Sequence, residues 1–286
     1  MARIPDLLER GRTFSFEFFP PKTDEESDLL AQTLRELEPL GPSFVSVTYR
    51  GGRSSRWPTH DLVVFIREST SITPMAHLVC AGHERAELQE ILADLKAGGI
   101  ENVLALGGDP LEDGSRAELS YANELVEMAR ATNGFAIGVA AQTQGHPLSR
   151  DLESDRRRLA HKLELADFAI TQFFFHAEEY ERLREELASL GIHKPVIPGI
   201  MPITNLSSIK RMSQLSGYDV PPDVVARIEA AGDDKKEIRR AGIDLACELC
   251  SDLLDLGAPG LHFFTLNRST ATREIYSGLG LVTDSR

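Results

Sequence analysis

Eight short runs of β-forming residues, each followed by an amphipathic stretch with helix signals, predict an α/β protein folded as a (β/α)8 TIM barrel. The first six runs recur about every thirty residues, as expected for repeated strand-plus-helix units. Eight such units in about 250 residues fit a closed barrel better than a doubly wound sheet. An open parallel sheet with a helical appendage is the alternative fold.

The predicted strands span residues 13–19, 43–49, 72–80, 102–106, 135–141, 168–175, 195–202 and 260–267. Apolar residues at helical spacing predict helices within 24–41, 83–99, 121–134, 151–165, 178–191 and 269–280. A longer, mostly helical and highly charged insertion from Ser207 to Leu256 is expected to add extra helices between strands seven and eight.

Composition indicates a folded protein that does not bind nucleic acid. The chain has 286 residues, 42% of them hydrophobic, which is enough for a large core. No Ser, Gln or Pro tract suggests a hinge, so a single catalytic domain over residues 1–286 is expected. The net charge of -13 repels a phosphate backbone. No secretory signal or membrane span is evident, so we expect a cytoplasmic protein.

Cys247 and Cys250 form a C-x-x-C pair, but apolar residues around them repeat at helical spacing. A buried helix is therefore favoured over a redox or metal site. The histidines show no metal-binding spacing such as H-E-x-x-H, and no metal is predicted. The charged helices are expected to present solvated faces, and a homo-oligomer is compatible with the sequence.

Polar residues stand at or near the predicted carboxyl ends of seven strands, the edge at which the active sites of such barrels lie. A hydrogen-bonded loop or cap residue is the alternative for each of them. They are Glu17, Thr48, Tyr49, His77, Asp109, Gln142, Gln172, Asn267 and Arg268.

Glu17 is the most informative of these residues, because it lies within a run of phenylalanines. An ionised carboxylate surrounded by Phe14, Phe16, Phe18 and Phe19 is costly to bury without a partner. We therefore expect either an acid that holds a proton for general-acid catalysis, or a carboxylate turned toward a cation such as Arg268.

The segment "ALGGDP" ends the fourth predicted strand with two glycines and Asp109. Such a layout lets the backbone approach a ligand closely and leaves Asp109 at the edge of the barrel. A plain turn capped by Asp109 explains the pattern nearly as well. The segment lacks the third glycine of a dinucleotide-binding fingerprint.

Several motifs in order make the chain similar to the methylenetetrahydrofolate reductase family from about Thr13 to Leu281. They are "FSFEFFPPKT", "FVSVTY", "AHL", "GGDP", "YANELV", "AITQFFF", "IPGIMPITN" and "HFFTLNR". The resemblance implies a TIM barrel that binds FAD, accepts a hydride from NADH or NADPH, and reduces 5,10-methylenetetrahydrofolate to 5-methyltetrahydrofolate.

The resemblance also implies roles for individual residues. Glu17 matches the acid that supports protonation at N10 of the folate, and Asp109 matches a catalytic aspartate near flavin and pterin whose negative charge can stabilise the substrate cation and tune the flavin. Gln172 matches a pterin ligand, and Arg268 is implied beside the substrate and the flavin. The implied FAD-binding residues are Thr48, His77, Gly108, Asp109, Tyr121, Ala122, Ala140, His146, Asp155 and Lys162.

Departures from the family pattern cluster around the implied flavin site. The family usually has arginine in place of Gly107 and an aromatic residue followed by "PE" in place of Gln142 and the two residues after it. This chain has His161 where the family has an arginine, and Met212 where the family has an aromatic residue. Two alternatives therefore stay open: a paralogue with weak or no FAD binding that uses another hydride donor, and a folate-binding barrel without reductase activity.

Overall fold

The eight strands close into one barrel in chain order, and every neighbouring pair is parallel, including β1 with β8. The computed structural model describes residues 2–49, 56–108, 118–119, 121–217 and 219–281. The strands are β1 (Thr13–Phe18), β2 (Phe44–Val47), β3 (Thr73–Val79), β4 (Asn102–Leu106), β5 (Ala136–Ala141), β6 (Phe168–Phe173), β7 (Val196–Ile200) and β8 (Gly260–Phe264). The predicted TIM barrel is confirmed, and the open sheet is wrong.

The helices surround the barrel, and three of them lie between β7 and β8 as predicted. In the described residues the helices are α1 (Ile4–Arg10), α2 (Asp24–Leu37), α3 (Arg56–Ser69), α4 (Arg85–Ala97), α5 (Ala122–Thr132), α6 (Leu152–Leu165), α7 (Ala177–Ser189), α8 (Leu206–Ser216), α9 (Pro222–Glu229), α10 (Lys235–Asp255) and α11 (Thr270–Gly278). None of these helices combines the length and apolar character that crossing a bilayer requires.

Two helices, α1 and α3, were not among those predicted from the sequence. Helix α1 closes the amino-terminal end of the barrel, where Ile4 is fully buried in the apolar cluster of the barrel interior. The backbone N–H of Ile4 donates to Asn102 Oδ1 at 2.8 Å, which anchors the first turn of the helix. Helix α3 buries Leu62, Val63 and Ile66 against the outside of the barrel.

Alternation along β1 sends its aromatic and polar residues to opposite faces. Phe16 and Phe18 belong to the core between the barrel and its helices, where the Phe16 ring lies 5.5 Å from that of Tyr276. Ser15 and Glu17 face the barrel interior, where both are buried. The expectation that Phe14, Phe16 and Phe18 surround Glu17 is therefore wrong, because they alternate with it along the strand, and Phe19 lies beyond the end of β1.

The C-x-x-C pair lies in a buried helix, as the sequence analysis favoured. Cys247 is half-buried and Cys250 fully buried in α10, and both are free thiols. Burial raises the pKa of the Cys250 thiol well above its usual range, so it stays protonated. Among the described residues, no group of three His, Cys, Asp or Glu side chains is arranged to hold a metal ion.

Gly242 permits α10 to cross the chain just after β7. A Cβ at this position would lie 1.8 Å from the backbone oxygen of Ile203. Alanine normally stabilises a helix over glycine by about 1 kcal/mol, but here it would clash with backbone. We expect Gly242→Ala to lower the free energy of unfolding in urea by about 2 kcal/mol or more. Ser251→Ala, on the exposed side of α10, is the control, and an unchanged Gly242→Ala would contradict this packing.

Candidate functional site

The Glu17 carboxylate lies between two buried imidazoles inside the barrel. Its Oε2 atom is 3.5 Å from His77 Nε2 and 3.7 Å from His262 Nε2, and Glu17 is 7% exposed. Strands β1, β3 and β8 supply the three side chains, and β1 lies between β8 and β2 in the closed sheet. All three lie on the interior face, Glu17 and His77 toward the carboxyl ends of their strands and His262 in the middle of β8, and they form a polar cluster above the apolar floor of the barrel.

Two serines orient the His262 ring. Ser15 Oγ lies 2.8 Å from His262 Nδ1 and 3.4 Å from the carbonyl oxygen of Leu261. If Ser15 donates to that carbonyl, then His262 Nδ1 donates to Ser15 and Nε2 carries a lone pair. This lone pair faces Glu17 and also Ser46 Oγ, which is 3.4 Å away. In this tautomer, His262 accepts a proton or a hydrogen bond on the side of the carboxyl group.

His77 is neutral near pH 7. Burial lowers its pKa to about 4, the Glu17 carboxylate opposes this shift, and the nearby His262 adds to it. Its Nε2 atom has no hydrogen-bond partner within the described residues, although Glu17 lies close by. A neutral imidazole with a free nitrogen beside a carboxyl group can either donate or accept a proton.

The loop after β8 fixes the backbone of β1 around Glu17. Thr265 Oγ1 donates to the Glu17 carbonyl oxygen at 2.6 Å, and Asn267 forms two hydrogen bonds with the backbone of Phe19. Leu266 and Asn267 adopt left-handed conformations, with φ of 51° and 56°. Such conformations cost of order 1 kcal/mol or more in residues other than glycine, so the surrounding contacts must hold them. Asn267, predicted at this edge, therefore acts in positioning Glu17.

Gln172 and Arg268, the other implied substrate residues that the structure describes, are less buried than Glu17. Gln172 is half-buried, and its side-chain oxygen accepts from the N–H of Phe173 at 3.0 Å. Arg268 is exposed and forms no ion pair with Glu17. The expectation that Arg268 lies beside that carboxylate is therefore wrong. Histidines occupy this place instead. Asp109 lies outside the described residues, as does the side chain of Met212.

The ends of β2 and β4 carry two of the implied cofactor-binding residues, Thr48 and Gly108. Thr48 is buried, and its hydroxyl has no hydrogen-bond partner in the described chain. Gly108 has a φ of +85°, and a Cβ there would lie 2.2 Å from Val79, so packing alone requires glycine. A Cβ at Gly107 would meet nothing within 4 Å, so space is open where the family usually has arginine.

A lysine and an aspartate of α6 lie behind the end of β5. Lys162 Nζ donates to the Ala140 carbonyl oxygen at 3.1 Å. Burial lowers the pKa of Lys162, and the charge of Asp155 opposes the shift. Asp155 Oδ1 accepts from the His146 N–H at 2.9 Å, so His146 is linked to Asp155 through its backbone. These four implied cofactor residues therefore lie together around one loop.

Tyr121 and Ala122 stand apart from the polar cluster at the start of α5. Tyr121 is the N-cap residue, its backbone N–H donates to Glu124, and its side chain is 60% exposed. Ala122 begins the helix and is half-buried. The geometry supports an exposed aromatic surface here, and the implied contact with a cofactor stays a prediction.

Sequence reasoning missed several residues of the site. Ser15, Ser46 and His262 were not named as candidates, although the alternation of Thr13, Ser15 and Glu17 along β1 is a signal for a polar interior face. Tyr49 was named, but its partner was not: its hydroxyl lies 2.7 Å from His83 Nε2. Burial raises the pKa of Tyr49, so this hydroxyl keeps its proton.

Comparison with known proteins identifies the family. The family model for methylenetetrahydrofolate reductase matches residues 3–280. A protein of Escherichia coli K12 called 5,10-methylenetetrahydrofolate reductase is 34% identical over 268 residues, which cover 93% of this chain and 90% of that protein. One of Pectobacterium carotovorum with the same name is 33% identical over 271 residues, covering 94% and 91% of the two chains.

A solved structure shares the fold at low sequence identity. An uncharacterized protein from Clostridium thermocellum, described as binding two copies of 5-methyl-5,6,7,8-tetrahydrofolic acid, superposes with a TM-score of 0.70 at 13% identity. The alignment covers 99% of this chain and 98% of the other. At this identity the likeness shows the fold, whereas the family model and the bacterial relatives show the family. This chain belongs to the methylenetetrahydrofolate reductase family.

Proposed function

We propose that this protein is an oxidoreductase that converts 5,10-methylenetetrahydrofolate to 5-methyltetrahydrofolate, with FAD as cofactor and NADH or NADPH as the hydride donor. Family membership supports the reaction class. The single structural observation that supports it best is the Glu17 carboxyl group between His77 and His262 inside the barrel. A reduction of this kind consumes one hydride and one proton, and this cluster is suited to handling the proton.

Glu17 is the proposed acid. A protonated Glu17 gives its proton to N10 of the folate, so that the five-membered ring opens to an iminium ion that accepts the hydride. After the transfer, the carboxylate lies 3.5 Å from His77 Nε2 and 3.7 Å from His262 Nε2, so a proton taken up by either imidazole can pass to Glu17. Because Glu17 is only 7% exposed, little water competes with the substrate for this proton.

The hydrogen bonds around Glu17 set where the proton is delivered. Thr265 and Asn267 fix the backbone at Glu17 and at Phe19, and Ser15 fixes the orientation of the His262 ring. General-acid catalysis depends on placing the acid within hydrogen-bond reach of the atom that is protonated. Asp109, Gln172 and Arg268 are proposed to bind the folate beside this group.

The residues at the ends of β2 to β5 fit a polar cofactor. The buried Thr48 hydroxyl has no partner in the described chain, and leaving such a group unsatisfied costs about 1 to 3 kcal/mol. A ligand that donates to it or accepts from it removes that cost. The residues that would hold FAD are Thr48, His77, Gly108, Asp109, Tyr121, Ala122, Ala140, His146, Asp155 and Lys162. When bound, FAD supplies a two-electron carrier between the nicotinamide and the folate.

The absorbance spectrum of the purified protein, before and after addition of FAD, tests the cofactor. We expect a flavin spectrum perturbed by binding, together with NADH- or NADPH-dependent turnover of methylenetetrahydrofolate. Turnover without any flavin binding would favour the paralogue that uses another hydride donor. Folate binding without turnover, even with FAD present, would support the alternative of a folate-binding barrel without reductase activity.

Glu17→Gln tests the proposed acid. The amide keeps the shape of the side chain but cannot supply the proton, so we expect turnover to fall by about 100-fold or more. FAD affinity should change far less than turnover, because Glu17 is not among the residues proposed to hold FAD. Steady-state kinetics and FAD titration measure the two quantities. Glu9→Gln, at an exposed glutamate of α1, is the matched control, and equal turnover in the Glu9→Gln and Glu17→Gln proteins would remove Glu17 as the acid.

His77→Gln tests the buried neutral imidazole. Between pH 6.5 and about 4, His77 is protonated in the unfolded chain and neutral in the folded protein, so folding releases a proton. Stability therefore falls as the pH is lowered through this window, and His77 accounts for about 3 kcal/mol of that fall. Urea unfolding at pH 7 and pH 4.5 should show a smaller loss in His77→Gln than in the wild type. His161→Gln, at an exposed histidine, should lose as much stability as the wild type.

A further inference from the structure

Arg156 is a buried cation that the proposed reaction does not use. It is the first of three consecutive arginines in α6, and its side chain is only 4% exposed, whereas that of Arg157 is 67% exposed. A buried guanidinium is costly unless all of its donors are used. Its contacts therefore indicate what the fold gains from burying it.

The Arg156 guanidinium joins two backbone carbonyls to two carboxylates. Its Nη1 donates to the Gln142 carbonyl oxygen and to Asp155 Oδ2, both at 2.9 Å. Its Nη2 donates to the Thr143 carbonyl oxygen at 2.6 Å, and its Nε donates to Glu186 Oε2 at 2.6 Å. The flat, branched donor set of arginine suits such a divided arrangement, and a lysine cannot reproduce it.

These contacts fix the loop that follows β5. The carbonyls of Gln142 and Thr143 are the first after the strand, and Asp155 holds the far end of the loop through the His146 N–H and the Ser149 hydroxyl, at 2.9 Å and 3.1 Å. Thr143 is also tied to α7, because its hydroxyl donates to Glu179 at 3.0 Å. Arg156 thus connects both ends of the loop to α6 and α7.

Gln142 carries a polar atom that the described part of the chain leaves unsatisfied. Its backbone oxygen is held by Arg156, yet its side-chain oxygen is buried and has no hydrogen-bond partner in the described residues. Thr48 at the end of β2 shows the same feature. A buried acceptor that is held in place but unpaired is the expected state of a group that awaits a ligand with N–H or O–H donors.

We propose that Arg156 is a positioning residue for the cofactor: it holds the loop after β5 so that the Gln142 side chain accepts a hydrogen bond from the flavin cofactor. This inference rests on the proposed function, because FAD provides the donors, namely its ring imide N–H, its ribityl hydroxyls and its adenine amino group. Gln142 contacts the cofactor, whereas Arg156 acts through Gln142 and Asp155.

FAD titration of the flavin-free protein, followed by quenching of flavin fluorescence, tests this arrangement. We expect Arg156→Lys and Arg156→Met to raise the Kd for FAD by at least tenfold and Gln142→Leu by at least fivefold. The double variant Arg156→Met with Gln142→Leu should bind little worse than Arg156→Met alone, because both substitutions remove the same contact. Arg157→Met, which removes the exposed neighbouring arginine, should leave the Kd within twofold.

Hydrogen exchange in the flavin-free protein measures the loop itself. Amides of residues 142–150 should exchange faster in Arg156→Lys than in the wild type or in Arg157→Met. If Arg156→Met does not fold, Arg156→Lys and Gln142→Leu still decide the matter, because the first keeps the charge and the second keeps the arginine contacts.

The outcomes separate this inference from the proposed function. A wild-type protein that binds no FAD removes the proposed cofactor and, with it, the positioning role. FAD binding that is equally tight in the wild type and in folded Arg156→Lys removes the positioning role alone. Effects of Arg156→Met and Gln142→Leu that multiply in the double variant would show that the two residues act independently and would also overturn it.

Discussion

The site depends on one electrostatic constraint, which is the burial of the Glu17 carboxyl group within the closed barrel. A buried acid costs several kcal/mol unless its surroundings compensate it, and here the compensation comes from strands far apart in sequence. His77 lies on β3 and His262 on β8, and Ser15 and Thr265 hold the ring and the backbone in place. Pairing of β1 with β8 brings His262 and Thr265 beside β1, so this part of the site exists only when the sheet has closed.

The fold was readable from the sequence because each strand-plus-helix unit carries its own local signal. Closure follows from the number of units and from the right-handed crossovers that such units adopt. Helix α3 was missed although Leu62, Val63 and Ile66 are spaced to form one buried face. Helix α1 was missed because its buried residues contact the barrel floor, a partner that appears only when the barrel has formed.

The site was only partly readable, for a related physical reason. The sequence predicts a buried acid at Glu17 and suggests phenylalanine surroundings for it, but alternation along the strand turns Phe16 and Phe18 to the helices. The role of His262 depends on the register between β1 and β8, and no local pattern sets that register. Arg156 and Arg157 look alike in the sequence, and only the packing of α6 against α7 and the β5 loop distinguishes them.

Helix α1 closes the amino-terminal end of the barrel, and this affects how ligands enter and leave. Ile4 and the apolar side chains around it fill the amino-terminal end, while the polar cluster lies toward the opposite end. Because apolar side chains of the described residues fill the amino-terminal end, we expect a molecule that reaches Glu17 from the carboxyl-terminal end to leave by the same route. Substrate and product would then use the same opening, so product has to leave before the next substrate binds.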